Sequence, residues 1–403
     1  MSHLQRSIMK SRLPPSGAMP GRVSKFDPSL RRGSKSKDYK PKMWDEFFAE
    51  KDDIAVDEKN TFRIYKTKTP EKSGPVLLML HGGGYCGLTW SYLSQEITQM
   101  LHCQCLCVDL RGHGDSITDN DEDLSAETLA TDVGKLVSVL FPDQCPPIYL
   151  IGHSMGGAIA VHVANMELIP GLIGVTVIDV VEGTALEALA SMQSFLRSRP
   201  KYFKSITNAI EWCVRSGQVR NLDSAKISMP GQIINCVTKK LATNELPLPD
   251  DYFEDTSKPT LFKSPLSIDE NEETDFSNEE PPAKFKIPNS ASNTEIDDNK
   301  KYTWRIDLSK SEIYWKGWFE GLSEKFLNIR VTKQLILASI DGLDKALTVG
   351  QMQGKFQMQV LAKCGHAVQE DRPHELAEVI GSYLVRNKYA EAANEFVGPM
   401  PSC

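Results

Sequence analysis

Short apolar runs alternate with amphipathic stretches of helical period along most of the chain. Phe62 to Lys66, Pro75 to Leu80, Cys103 to Leu110, Pro147 to Gly152, Gly174 to Val180, Gln334 to Ser339 and Phe356 to Leu361 read as strands. Apolar positions every three to four residues predict helices over Ala126 to Phe141, Met155 to Met166 and Pro373 to Val385. Strand and helix in alternation imply an α/β fold, with a mostly parallel sheet covered on both faces.

The alternation breaks between about Thr184 and Lys333. Amphipathic stretches Leu186 to Arg197 and Ile206 to Val219 come first, then an acidic tract, then an aromatic helical piece containing Tyr314, Trp315, Trp318 and Phe319. The expected organisation is a core over 43–183 and 333–390, with a helical cap over 184–332 inserted after the strand that ends near Asp179. The aromatic piece fits the cap core better than a substrate pocket, because its spacing is helical.

Charge adds two further segments. The chain carries a net −7 at pH 7, which excludes a generally basic nucleic-acid binder. Residues 1–42 nevertheless hold eleven Lys/Arg against Asp27 and Asp38, and residues 241–300 hold fifteen Asp/Glu against five Lys. The first reads as a disordered basic arm, with a nuclear-import or kinase-regulated role around Arg31, Arg32, Lys35 and Lys37 as the functional alternative to a solvated tail. The second, with seven prolines, reads as a long disordered acidic loop within the cap. Residues 391–403 form a tail, and Cys403 lacks the context of a prenylation signal.

No apolar stretch approaches the length of a membrane helix and no signal-peptide core is present. Nine cysteines without a secretion signal argue against a disulfide framework. A reducing cytoplasm, with the nucleus as a second compartment, is the expectation. Cys103, Cys105 and Cys107 alternate on a buried strand as small apolar residues, and no metal or organic cofactor is expected.

The strongest chemical signal is Ile148 to Gly157, which reads apolar strand, then Gly152-His153-Ser154-Met155-Gly156, then a helix of small residues. Gly-x-Ser-x-Gly between strand and helix is a nucleophile elbow: the serine oxygen projects above the sheet, and the small residues let strand and helix approach. The N–H of Met155 can then stabilise an oxyanion. His81-Gly82-Gly83-Gly84 follows a strand and offers a second donor, either Gly83 or Gly84. Without the elbow the same residues would be Gly-rich turns, with His81 a structural histidine.

A serine needs a base at neutral pH. His366, on the loop after the strand Phe356 to Leu361, is favoured over His374, which the following helix would draw away. His3, His102 and His162 read as surface or structural residues, His153 as a support of the elbow and His113 as a turn residue. Three acids stand at the carboxyl ends of strands, where such sites gather: Asp341 and Asp344 after one, Asp179 after another. The residues alone favour Asp341 slightly.

Gly152 to Ala160, Val177 to Thr184, Gly350 to Gln357 and Cys364 to Val368 together resemble the eukaryotic protein phosphatase methylesterases of the α/β-hydrolase superfamily. The resemblance runs from about Trp44 to Tyr389, sparing the arm and the acidic loop. It implies an α/β-hydrolase fold, a Ser154, Asp179, His366 triad, and removal of the methyl ester from the carboxyl-terminal leucine of the protein phosphatase 2A catalytic subunit. It also implies that the phosphatase catalytic subunit is gripped as a partner, with scaffold and regulatory subunits as further candidates. Pro265 to Glu270 resembles a short motif that binds regulatory subunits, but Pro265 stands where that motif has leucine. Two other functions compete: a general carboxylesterase or lipase, and a non-catalytic protein that sequesters the phosphatase.

Overall fold

A computed structural model describes residues 37–247, 300–340, 343–393 and 396. In chain order its strands are β1 (Glu50–Ala55), β2 (Thr61–Lys66), β3 (Val76–Leu80), β4 (Gln104–Val108), β5 (Ile148–His153), β6 (Leu172–Ile178), β7 (Tyr202–Phe203), β8 (Ile233–Asn235), β9 (Tyr302–Trp304), β10 (Thr332–Leu337) and β11 (Gln357–Val360). Eight of them form one sheet in the order β1-β2-β4-β3-β5-β6-β10-β11. Pairing is antiparallel for β1/β2 and β2/β4 and parallel for the rest. The first strand escapes the hydrophobic pattern because Glu50, Lys51, Asp52 and Asp53 make it a charged edge, the kind of strand that resists further pairing.

Both faces are packed. On one, helices Ala126–Leu140 and Met155–Asn165 bury residues such as Leu129, Val133, Ile159 and Val163 against Leu78, Leu150 and Val177. On the other, helices Ser91–Met100 and Pro373–Arg386 cover Leu77, Met79, Ile151 and Ile336. Cys103, Cys105 and Cys107 all lie in this second cluster, among apolar neighbours.

The register places the chemistry. Leu80 pairs with Gly152, and His153 pairs with Ile178. The chain therefore leaves β3, β5 and β6 at one edge of the sheet, delivering His81, Ser154 and Asp179 to adjacent positions there.

The cap is more than helices. Helices Glu182–Ser198, Ile206–Ser216 and Leu222–Ser228 are joined by a small antiparallel sheet in the order β7-β9-β8. Strands of two or three residues are too short to show a period. Trp315, Trp318 and Phe319 are buried within the main core cluster, Trp318 Nε1 donating to Leu124 O at 2.6 Å, so the aromatic piece packs into the hydrolase core and not into a separate cap core as its position suggests.

The segment boundaries also move. Residues 37–42, which composition assigns to the arm, are docked: Tyr39 packs on the cap cluster and Lys42 N donates to Lys226 O at 3.1 Å. At the start of the acidic tract, Ala242–Glu245 forms a 3-10 helix with Ala242 fully buried. An aromatic ring and a short apolar run supply packing that local charge does not reveal. The remainder of the basic arm with His3, residues 248–299 with Pro265 to Glu270, Asp341, and Cys403 lie outside the described residues.

Candidate active site

The strand β5 is buried throughout and ends in a sharp turn at Ser154, whose φ of 53° and ψ of −119° lie outside the regions ordinary residues prefer. Such a conformation costs on the order of 1–3 kcal/mol and persists only where its surroundings hold it. Here Ser154 N donates to Ile178 O at 2.9 Å, and its carbonyl accepts from Ala158 N at 3.0 Å. The flanking glycines are steric necessities. A Cβ on Gly152 would stand 2.2 Å from Gly156 O, and one on Gly156 would stand 2.3 Å from Leu80 O.

Three groups from separate elements meet at this turn. His366 Nε2 lies 2.9 Å from Ser154 Oγ, and His366 Nδ1 lies 2.8 Å from Asp179 Oδ2. Asp179 Oδ1 accepts from Ala338 N at 2.9 Å. Burial by itself would raise the Asp179 pKa, but the His366 ring and the Ala338 N–H more than offset it and hold the carboxyl below its ordinary value. An anionic Asp179 keeps the proton on Nδ1 and leaves Nε2 free to accept from the serine.

The other candidates lie elsewhere. His374 Nδ1 pairs with Glu96 Oε2 at 2.8 Å on the surface. Asp344 caps the helix Lys345–Met352, its Oδ1 accepting from Leu347 N at 2.9 Å, and it also accepts from Ser323 Oγ.

For the oxyanion, Met155 occupies the first position of its helix, where the N–H has no intrahelical acceptor. The structure separates the two glycines. Gly84 N donates to His113 Nε2 at 2.9 Å. His113 Nδ1 faces Arg111 O at 2.8 Å and must carry the ring proton, and burial pushes this histidine down to about 4, so Nε2 is a bare acceptor. Gly84 is thereby committed to holding the loop. Of the two candidates, Gly83 N has no hydrogen bond among the described residues, and its missing Cβ would lie 3.7 Å from Met155 Sδ. His81 is structural, since its Nε2 accepts from Leu110 N at 3.0 Å and its Nδ1 donates to Gly82 O at 2.8 Å. The role of His113 carries no sequence signal, because it depends on a contact across 29 residues.

Behind His366 runs a buried polar chain. His153 Nε2 donates to His366 O at 2.8 Å, and burial pushes His153 down to about 3, so the ring is neutral and its Nδ1 accepts from Gln369 Nε2 at 3.3 Å. Gln369 Nε2 also donates to Thr89 Oγ1 at 3.0 Å, which donates to Glu370 Oε1 at 2.5 Å. Ser228 Oγ, from the cap, meets Glu370 Oε2 at 2.6 Å. Asp371 completes the anchorage by accepting from Gly365 N at 2.6 Å and from Arg220 N of the cap at 2.7 Å. Cap and histidine loop are thus tied together.

Burial pushes Glu370 up to about 8 from an ordinary 4.5, its hydrogen bonds from Ser228 and Thr89 offsetting only part of that. Between those values the folded protein keeps a proton that the unfolded chain has released, so this group's contribution to stability falls as pH rises through the window. In thermal melts at pH 5, 6, 7 and 8, the wild type should lose stability relative to Glu370→Gln as pH rises. A constant difference would show that Glu370 does not titrate there.

The strained serine, its histidine and the buried acid define a serine hydrolase built on an α/β sheet, and residues 77–379 match the alpha/beta hydrolase family. Solved structures agree on the fold. An E-2-(acetamidomethylene)succinate hydrolase superposes with a TM-score of 0.57 at 15% identity, covering 83% of this chain and 99% of that one. The thioesterase domain from the curacin biosynthetic pathway gives 0.52 at 18%, covering 82% and 98%.

Sequence relatives are more specific. Protein phosphatase methylesterase 1 of Mus musculus is 46% identical over the full length of both chains. A probable protein phosphatase methylesterase 1 of Caenorhabditis elegans is 39% identical over 90% of this chain and 82% of its own. That of Yarrowia lipolytica is 33% identical over 87% and 74%. The chain belongs to the protein phosphatase methylesterase family and is a carboxylic ester hydrolase.

Proposed function

We propose that this chain hydrolyses the methyl ester on the carboxyl-terminal leucine of the protein phosphatase 2A catalytic subunit, with Ser154 as nucleophile, His366 as base and Asp179 as its orienting acid. The observation that carries the reading is the unbroken relay of 2.9 Å and 2.8 Å from Ser154 Oγ through His366 to Asp179. It stands in a chain whose Mus musculus relative, matched over the full length of both, bears the methylesterase name.

The steps follow from the geometry. Ser154 Oγ attacks the ester carbonyl as His366 Nε2 takes its proton, and the oxyanion forms beside Met155 N and Gly83 N, each such donor contributing about 3–4 kcal/mol to the transition state. His366 returns the proton to the departing methanol, leaving an acyl-serine. Water, deprotonated by the same nitrogen, then releases the carboxylate. Asp179 stabilises the imidazolium that forms twice in the cycle.

A general esterase would prefer an activated leaving group. The test compares methanol release from the methylated phosphatase catalytic subunit with turnover of p-nitrophenyl acetate. A kcat/KM higher by at least about tenfold on the phosphatase is expected, since binding energy from a remote protein surface adds to the transition state. Faster turnover of the aryl ester would favour the general esterase.

A further inference from the structure

One group beside the glycine loop that the mechanism does not use is Arg199, which follows the cap helix Glu182–Ser198. Its guanidinium lies over the face of Trp304 with Cζ 3.4 Å from the ring centroid, and 6.0 Å from that of Trp212. Trp304 is fixed in turn, its Nε1 donating to Pro200 O at 2.8 Å. On its other side, Nη1 stands 3.8 Å from the position a Cβ would take on Gly84. Arg199 therefore bridges the aromatic cap and the glycine loop beside Ser154.

One of its donors is left over among the described residues. Nε is buried without a partner, and the guanidinium makes no ion pair with any described residue. Its titratable neighbours, Tyr85 and Cys213, are neutral, because burial pushes each well above its ordinary value. Burial lowers Arg199 itself to about 10, which leaves it cationic at neutral pH. A buried guanidinium N–H without an acceptor is costly to maintain for structure alone, even in a side chain that is only partly buried. Stacking on tryptophan offsets part of the cost and fixes the plane of the fork, but supplies no acceptor.

We infer that Arg199 is a specificity-determining residue whose guanidinium takes a backbone carbonyl oxygen of the substrate's carboxyl-terminal segment while the ester carbonyl faces Met155 and Gly83. The inference rests on the reading of the site as a peptidyl methylesterase. Successive residues of a peptide lie about 3.8 Å apart, so a chain whose last carbonyl is at Ser154 has carbonyl oxygens in reach of a group that borders the glycine loop. A simple aryl ester offers no such oxygen.

The test uses the full chain with two probes, a hexapeptide ending in leucine methyl ester and p-nitrophenyl acetate. Arg199→Met keeps an unbranched apolar side chain on Trp304 but removes the donors. It should lower kcat/KM on the peptide ester by about 10- to 100-fold, mainly through KM, as expected for a lost charge-assisted hydrogen bond. Turnover of the aryl ester should stay within about threefold. Arg199→Lys, which keeps charge without the fork, should fall between Met and wild type on the peptide. Equal losses on both probes would make Arg199 a structural support of the loop, and no loss on the peptide would remove it from recognition; either result overturns the inference. Wild-type protein that turns over the aryl ester but not the peptide would instead remove the methylesterase reading.

Discussion

Ser154→Ala should reduce kcat on the methylated phosphatase by at least about 10⁴-fold, leaving only what oxyanion donors and substrate binding supply without a nucleophile. The loss should be purely chemical. Ser154 holds its place through backbone bonds to Ile178 O and Ala158 N, which alanine preserves, so the thermal midpoint should hardly move. Alanine at φ 53° is no less strained than serine, and Gly152 and Gly156 still admit the turn. Co-purification of the variant with the phosphatase would then separate binding from catalysis. Methanol release near the wild-type rate would remove Ser154 from the reaction, and with it the triad.

Asp179→Asn has the second-largest expected effect, a fall in kcat of about 10³- to 10⁴-fold with little change in KM. An amide cannot stabilise the imidazolium, and its N–H₂ group favours the wrong tautomer of His366. The decisive comparison is with Asp344→Ala at equal folded content. Asp344 caps a helix and accepts from Ser323, so its loss should cost about 1 kcal/mol of stability and leave kcat nearly unchanged. Asp341→Asn, at a position outside the described residues, completes the set. A larger kcat loss in either of these variants than in Asp179→Asn would transfer the acid's role.

The elbow was the most legible part of the chain because its requirements are local. A buried strand, a strained turn and a small-residue helix leave a contiguous signature in Gly152, Ser154 and Gly156, and the clearances of 2.2 and 2.3 Å give its reason. His366 was nearly as legible, being on the loop after the last core strand. Three acids end strands alike, so the residues alone favour Asp341 slightly, and only the family resemblance points to Asp179. The parallel register that sets β6 between β5 and β10 is what puts Asp179 Oδ2 2.8 Å from the imidazole.

Elements without a period leave no signal in the sequence. The charged edge strand β1, the short cap sheet and the docked residues 37–42 owe their places to partners distant in sequence. The same holds for the choice between Gly83 and Gly84, which turns on one hydrogen bond to His113.

Sequence alone determined the hydrolase core and singled out Ser154 and His366 as candidates, because strand, turn and helix are encoded in neighbouring residues. The tertiary structure decided which glycine N–H is held by His113, how Glu370 and Asp371 tie the cap to the histidine loop, and that Arg199 Nε has no partner among the described residues. Those are properties of groups brought together from 29 to more than 200 positions apart, and no local pattern records such a meeting.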